Sequence, residues 1–380
     1  MKPASCRNIA DLQHAARRRL PRPIRFFLEG GAEDEVTLRG NAAAYDDYRL
    51  VPEVLRDMTA VDTGTEFFGR RVAMPLMLSP TGASEAFHPT GETAVSRAAA
   101  RAGLFYAASC MSTRTLEEIA GVGEGPRIFQ LYLLSDRGKI SELIERARAA
   151  GYDALCITVD VVAHGNRERD LRTGFAMPPK LTLSSWLNFA LYPGWSLPAM
   201  RLKFQMANFP PAPNEDPKTM TARMFSRSFA WEDARWVVEQ WGGPVLLKGV
   251  SSPADCERAA DIGIAGIMIG NHGGRQLDSN VAPLHQLPRI RDRVGDSLKL
   301  VVDGGVRRGT DIAKALALGA DMCSVGRPYL YGLAAFGEAG VARAIEIFRS
   351  EFERDMIHMG CAKVDEIRRE HVVPAGRPGG

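Results

Sequence analysis

Between Pro75 and Arg327 the sequence alternates short apolar runs with longer amphipathic stretches eight times, a rhythm that few folds accommodate. The apolar runs occupy residues 76–79, 105–109, 128–132, 155–160, 245–248, 266–270, 300–303 and 322–326. Runs this short, closed by small or polar residues, read as buried strands. Stretches such as 92–102, 138–150, 231–241, 253–262 and 310–318 lie between them and read as helices. Strands that alternate with helices imply a parallel sheet. About eight such units predict an α/β fold closed as a (β/α)8 TIM barrel. An open doubly wound sheet is the competing architecture, but the Gly-x-Gly-x-x-Gly turn expected after its first strand is missing.

Two segments lie outside the rhythm. Residues 9–28 read as helical pieces broken around Pro21 and Pro23, with a basic run, Arg17-Arg18-Arg19, that suits a solvated face. After a glycine-rich turn at 30–34 a polar helix begins, so the barrel carries an N-terminal helical segment. A long insertion, about 176–228, follows the fourth strand and is rich in Pro, Met, Trp and Phe. Its aromatic part, Trp186 to Tyr192 and Trp195 to Leu197, forms an amphipathic surface, and its later part, Phe209 to Asp216, is loop-like. Interfacial membrane docking and a lid or oligomer contact both fit such an insertion. A chain of 380 residues is long enough for two or three domains. A barrel of about 250 residues folds as one unit, however, and a single domain over 1–380 is expected, with the barrel at about 75–361.

Composition removes several function classes. The net charge of +3 is too small to argue for a nucleic-acid partner. Six cysteines without a Cys-x-x-Cys pair argue against a metal site or a disulfide framework and suit a reducing cytosol. Met1 to Leu20 has no apolar core of signal-peptide type, and no apolar run reaches the ~18 residues of a membrane span. A cytoplasmic protein is expected.

Barrel enzymes collect their catalytic groups just beyond the C-terminal ends of the strands, and here those positions are chemically rich. Pro80-Thr81-Gly82 follows the first run, Ser109 ends the second, and Gln130 and Tyr132 end the third. Thr158 and Asp160 end the fourth, with Arg167 beyond, and Lys248 ends the fifth. After the sixth comes Gly270-Asn271-His272-Gly273-Gly274-Arg275, a titratable base three residues from a permanent anion fork. Asp303-Gly304-Gly305-Val306-Arg307 and Gly326-Arg327 follow the last two runs, where such barrels often bind phosphate. Gln130, Thr158 and Lys248 could hydrogen-bond a ring system. Together these positions describe a phosphorylated aromatic cofactor lying across the barrel mouth. Lys248 reads blandly as half of an ion pair with Asp160, or as a charge for a reduced ring. His88 and His164 read as structural or surface residues.

These motifs, in this order, resemble the FMN-dependent L-2-hydroxy-acid oxidases and dehydrogenases, a family that includes glycolate oxidase, lactate oxidase and flavocytochrome b2. The resemblance runs from Gly30 to Cys361. Within the family the mandelate dehydrogenases are the most similar, through Asn166 to Leu171, Pro193 to Leu197, Ala207-Asn208-Phe209 and Trp231 to Trp236. The resemblance implies that His272 is the active-site base and that Asp160 holds the imidazolium formed on it. It implies that Arg275 and Arg167 bind the substrate carboxylate, that Tyr132 hydrogen-bonds the substrate, and that Lys248 stabilises the reduced flavin. It assigns Pro80, Thr81, Gly82, Ser109, Gln130 and Thr158 to FMN contact, and Asp303, Gly305, Arg307, Gly326 and Arg327 to the ribityl phosphate end. A homotetramer is the family expectation.

The departures from the family pattern bear on specificity. Phe27 stands where the family usually has a second substrate tyrosine, Met111 where glycolate oxidase has tryptophan, and Gly270 where serine is common. The missing hydroxyl at position 27 removes one hydrogen bond to the carboxylate, typically ~0.5–1.5 kcal/mol net and more to a charged group. Gly82, alanine in many oxidases, favours a dehydrogenase that hands electrons to a membrane quinone. The insertion resembles a membrane-docking segment, which favours peripheral association with the inner face of the cell membrane. The expected activity is therefore oxidation of a small 2-hydroxy acid, aryl or bulky, to the 2-oxo acid, with a quinone as acceptor. An oxidase that uses O2 is the nearest alternative, and an FMN-binding barrel without turnover a more distant one.

Overall fold

The computed structural model describes residues 1–175, 180–201, 205–209 and 228–376. The eight runs form strands β1 (Leu76–Leu78), β2 (Tyr106–Ser109), β3 (Arg127–Tyr132), β4 (Ala154–Thr158), β5 (Val245–Val250), β6 (Gly266–Gly270), β7 (Lys299–Asp303) and β8 (Met322–Val325). Consecutive strands pair in parallel, and β8 pairs with β1, so the sheet closes on itself.

Successive side chains on a strand point to opposite faces, and this decides what enters the barrel. Met77, Ala107, Ile128, Cys156, Leu246, Met268, Val301 and Met322 belong to one buried interior cluster. Two residues further along the same strands stand Ser79, Ser109, Gln130, Thr158, Lys248, Gly270, Asp303 and Ser324. The apolar interior is thus capped at its C-terminal end by polar groups and one glycine. At the other end a hairpin of Thr65–Phe67 and Arg70–Val72 adds Phe67 and Val72 to the same cluster. Outward-facing strand residues and the surrounding helices form a second, larger core. Each large apolar side chain buried there contributes about 1.5–3 kcal/mol.

The anticipated helices appear within one residue of their expected bounds, at Gly91–Ala102, Arg137–Ala149, Trp231–Trp241, Pro253–Asp261 and Gly309–Ala317. Among the described residues the N-terminal segment forms helices Ile9–Arg19, Arg22–Glu29 and Val36–Ala43. Arg17, Arg18 and Arg19 occupy the last turn of the first, where cations complement the helix dipole. Pro23 sits in the first turn of the second, where a missing N–H leaves no hydrogen bond unmade. The third is docked on the barrel mouth: Asp278, in the loop after β6, accepts from the backbone N–H groups of Val36 and Thr37 at 3.2 and 2.8 Å.

In the insertion, helices Leu183–Ala190 and Pro193–Ala199 form a hairpin in which Pro193 starts the second helix. Phe189 and Trp195 stack across it with ring centroids 5.3 Å apart. Leu183, Trp186, Leu187, Leu191, Leu197 and Met200 are exposed. The stretch Pro210 to Asp216, expected to be loop-like, lies outside the described residues. No helix among the described residues is long and apolar enough to cross a membrane.

Candidate active site

The loop after β6 takes an unusual path. His272, Gly273 and Gly274 all have positive φ, at 56°, 64° and 73°. For a histidine this left-handed conformation is uncommon and costs of order 1 kcal/mol, so the surroundings must hold it. Gly274 is required by contact as well, and Gly273 is crowded by the end of the Arg327 side chain. A Cβ on Gly273 would lie 2.7 Å from the Arg327 guanidinium, and one on Gly274 2.6 Å from the backbone nitrogen of Leu38. The path turns the imidazole towards Asp160, whose Oδ1 lies 3.1 Å from His272 Nδ1. Asp160 has room because β5 is irregular between Lys248 and Val250, and Gly249 there has φ +93°. A Cβ on Gly249 would stand 2.4 Å from the Asp160 carboxyl carbon.

The charges are arranged in two groups. Burial alone would raise the Asp160 carboxyl, but His272 and Lys248 outweigh it and hold Asp160 below the usual range, so it is ionised. Lys248 is buried on the floor, and its Nζ lies 2.6 Å from Asp303 Oδ2. Burial works against its charge, yet Asp303 and Asp160 more than offset that, and Lys248 stays protonated. Asp303 also accepts from Ser79 Oγ at 2.9 Å. The ion-pair partner of Lys248 is therefore Asp303, not Asp160, because Asp160 is turned to the histidine.

The second group surrounds Phe27. The Arg275 guanidinium lies 5.1 Å from its ring centroid and that of Arg167 lies 5.7 Å away. Arg275 donates to the carbonyls of Phe27 and Gly30 at 2.7 and 3.1 Å. Burial, then Arg167 and Arg327, press against the charge on Arg275, and Asp170 and Tyr132 offset only part of it. Burial raises the Asp170 carboxyl, which further weakens that compensation. The result is a buried excess of positive charge beside His272, suited to an anion.

A single cleft is lined by Phe27, Pro80, Thr81, Gly82, Ser109, Met111, Tyr132, Arg167, Lys248, His272, Arg275, Asp303, Gly305, Arg307, Gly326 and Arg327. Of the other residues singled out by sequence, Gln130 lies behind Ser109, whose Oγ donates to Gln130 Oε1 at 2.7 Å. Thr158 lines an adjoining cavity that shares Tyr132 and Val161 with the cleft. The cleft thus brings most of the residues singled out by sequence to one place. Gln130 Nε2, Thr158 Oγ1 and Ser324 Oγ are buried without a partner among the described residues, an arrangement that leaves them available to a bound ring. The helix Arg327–Phe336 begins at the cleft, with its N-cap Gly326 and first residues Arg327 and Pro328 in the lining. The Arg307 guanidinium has no carboxylate partner among the described residues and donates to the carbonyl of Val306, while the Arg307 backbone N–H donates to Asp311. Arg327 is more constrained: its guanidinium donates to the carbonyls of Leu28, Gly273 and Gly30.

Some participants escaped the sequence reading. His164, read as a structural or surface residue, is exposed at the rim of the cleft, where partial burial and Arg167 lower its pKa. Met206 and Phe87 line it too. Gln276 bridges the loops after β4 and β6, accepting from Gly165 N at 3.1 Å and donating to the Ala163 carbonyl at 2.9 Å. Only its position beside Arg275 could have drawn attention to it. His88 is paired with Thr90 Oγ1 at 2.8 Å and matches its structural reading.

Comparison with known proteins places this geometry. The family model described as FMN-dependent dehydrogenase matches residues 16–374. Glycolate oxidase 1 of Zea mays is 38% identical over 366 residues, covering 96% of this chain and 95% of that protein. A putative L-lactate dehydrogenase of Mycobacterium tuberculosis is 38% identical over 376 residues, covering 98% and 90%. Among solved structures, the monotopic membrane protein (S)-mandelate dehydrogenase superposes with a TM-score of 0.93 at 34% identity, covering 98% of this chain and 100% of that one. Mandelate oxidase with benzoyl-formic acid gives 0.84 at 38% identity, covering 98% and 99%.

Proposed function

Because the chain belongs to the FMN-dependent dehydrogenase family, we propose that the 2-hydroxy acid it oxidises is an L-acid bearing an aryl or other bulky apolar group. FMN-dependent 2-hydroxy-acid oxidation is common to its glycolate, lactate and mandelate relatives. The observation that carries the substrate reading is the wall beside the arginine pair. Phe27, Phe87, Met111 and Met206 line the cleft, an apolar lining that suits such a group.

In this reading Arg275 and Arg167 take the carboxylate, and Tyr132 hydrogen-bonds the substrate hydroxyl or carboxylate. Asp160 holds the Nδ1 side of His272, which leaves Nε2 as the atom that receives the substrate proton. Asp160 is ionised before the proton arrives and stabilises the imidazolium afterwards. FMN, when bound, supplies the two-electron acceptor. Gln130, Thr158, Ser109 and Lys248 would hold its ring edge, Pro80, Thr81 and Gly82 would lie along its face, and Gly305, Arg307, Gly326 and Arg327 would take its phosphate end. Asp303 acts one step back, by fixing Lys248. Whether the proton comes from Cα or from the hydroxyl, the same base serves.

We assign the electrons to a membrane quinone. A Cβ on Gly82 would lie 2.9 Å from Met111 Cβ and 3.0 Å from its carbonyl oxygen. The alanine of many oxidases would therefore not fit here without displacing Met111. The exposed hairpin supports docking on a lipid surface. Residues 181–200 contain no charged side chain, while Lys180 and Arg201 flank them and Arg22 donates its backbone N–H to Asn188 on the hairpin. The mandelate dehydrogenase neighbour is described as monotopic. A homotetramer is the assembly we expect.

Anaerobic mixing of the yellow protein with (S)-mandelate, L-lactate and glycolate tests substrate and acceptor together. Bleaching should be fastest with (S)-mandelate and should persist when air is admitted. Faster bleaching by glycolate would contradict the substrate class. Rapid reoxidation with peroxide would favour the oxidase reading, which the glycolate oxidase and mandelate oxidase relatives keep open.

A further inference from the structure

We infer that Asn41, on the N-terminal helix Val36–Ala43 outside the barrel, is a positioning residue for the base His272, acting through Asn271. The proposal rests on His272 being the base. Asn41 and Asn271 are both buried and form a reciprocal amide pair. Asn41 Nδ2 donates to Asn271 Oδ1 at 2.8 Å, and Asn271 Nδ2 donates to Asn41 Oδ1 at 2.7 Å. Asn271 also donates to the Val281 carbonyl at 3.0 Å and accepts from Gly274 N at 3.1 Å. Its amide thus has two donated and two accepted bonds, its full capacity.

These bonds bracket the strained segment. Asn271 precedes His272, and Gly274 closes the run of three positive φ values. A left-handed histidine persists only where its surroundings over-determine it. Within the loop, Asn271 closes the turn by binding Gly274; from outside, Asn41 fixes Asn271. The same helix residue packs on the phosphate-end turn, since a Cβ on Gly305 would meet the Asn41 carbonyl oxygen at 1.9 Å. One residue of the N-terminal segment thereby sets the base and the Asp303 to Arg307 turn in common register. Without its amide, His272 would relax away from the Asp160 hydrogen bond, and misplacement of a reacting group by about 1 Å costs about 100-fold in rate.

Chemistry makes the pair separable from bulk stability. In Asn41→Asp the introduced carboxyl can replace the amide only while protonated, because it must then donate to Asn271 Oδ1. Ionised, it sets two acceptors against each other. Burial raises the pKa of such a carboxyl above its ordinary value of about 3.9. The variant therefore works below that raised pKa and fails as pH rises through it.

The test is anaerobic flavin reduction by (S)-mandelate in stopped flow, with wild type, Asn41→Leu and Asn41→Asp compared at equal FMN occupancy and each rate divided by the wild-type rate at the same pH. Expected are a loss of about 100-fold in Asn41→Leu and an Asn41→Asp ratio that falls at least about tenfold between about pH 5.5 and about pH 8.5. An Asn41→Leu rate within twofold of wild type overturns the assignment. So does an Asn41→Asp ratio that is the same at both pH values, which decides the matter alone if Asn41→Leu does not fold. An inactive wild type at every pH would instead remove the reading on which the proposal rests.

Discussion

Restoring a hydroxyl at position 27 should strengthen carboxylate binding for every 2-hydroxy acid the site accepts. In Phe27→Tyr the ring keeps its place, because Phe87 stacks on it at 6.0 Å and Phe175 meets it edge-on at 5.3 Å. The arginines at 5.1 and 5.7 Å retain the same ring face, so their cation–π contacts are unchanged. What is added is one hydroxyl among groups already positioned for a carboxylate. A hydrogen bond to a charged group contributes about 1.5–3 kcal/mol, and about 1.4 kcal/mol is tenfold in rate. The second-order rate constant for L-lactate should rise about 10- to 150-fold, carried by a lower KM with kcat nearly constant, the signature of uniform binding. Mandelate should gain by a similar factor, since the carboxylate is common to both. Steady-state kinetics with an artificial electron acceptor measures this. A change below twofold for both acids would mean that the para position of ring 27 does not reach the carboxylate, and the account of the arginine pair would fall with it.

Other outcomes follow from the same geometry. Asp160→Asn keeps shape but removes the charge beside His272 Nδ1, and single-turnover flavin reduction should slow about 100-fold or more; a loss below fivefold would show that Asp160 is dispensable. Asp355, raised to about 6 by burial and by Glu351, has its carboxyl charged in the folded protein at neutral pH at a cost. The stability its proton lends is present below the ordinary value of 3.8 and is lost as pH rises through about 6. Asp355→Asn should therefore stabilise by about 1 kcal/mol above that pH, discounted for its partial exposure. Differential scanning calorimetry should find the gain at neutral pH and not near pH ~4; a gain equal at both would contradict the cause. Trp186→Asp with Leu187→Asp should abolish co-sedimentation with vesicles containing anionic lipid while leaving reduction by (S)-mandelate in solution intact. Unchanged sedimentation would remove the docking surface.

Much of the fold was legible because one rule, strand followed by helix, repeats eight times and every strand end but that of β6 announces itself by a polar residue. The step of two from Leu246 to Lys248, or from Val301 to Asp303, is local information that a sequence carries openly. What was not legible depends on distance. The hairpin that adds Phe67 and Val72 to the barrel interior has strands of three residues, too short for any periodicity. The partner of Lys248 was misread because Asp160 and Asp303 are equally plausible from order alone. The choice is made by the Gly249 irregularity, which opens space for Asp160 beside the histidine. Asn41 and Asn271 are 230 residues apart, and neither has a neighbour that marks it as one of a pair.

The most direct measurement is anaerobic reduction of bound flavin by (S)-mandelate in His272→Ala beside wild type. The account predicts that the variant binds FMN with an unchanged visible spectrum and is reduced about 100- to 10,000-fold more slowly, the range of general-base catalysis. Reduction at a near wild-type rate would show that another group takes the proton, and that the strained loop after β6 serves some other end.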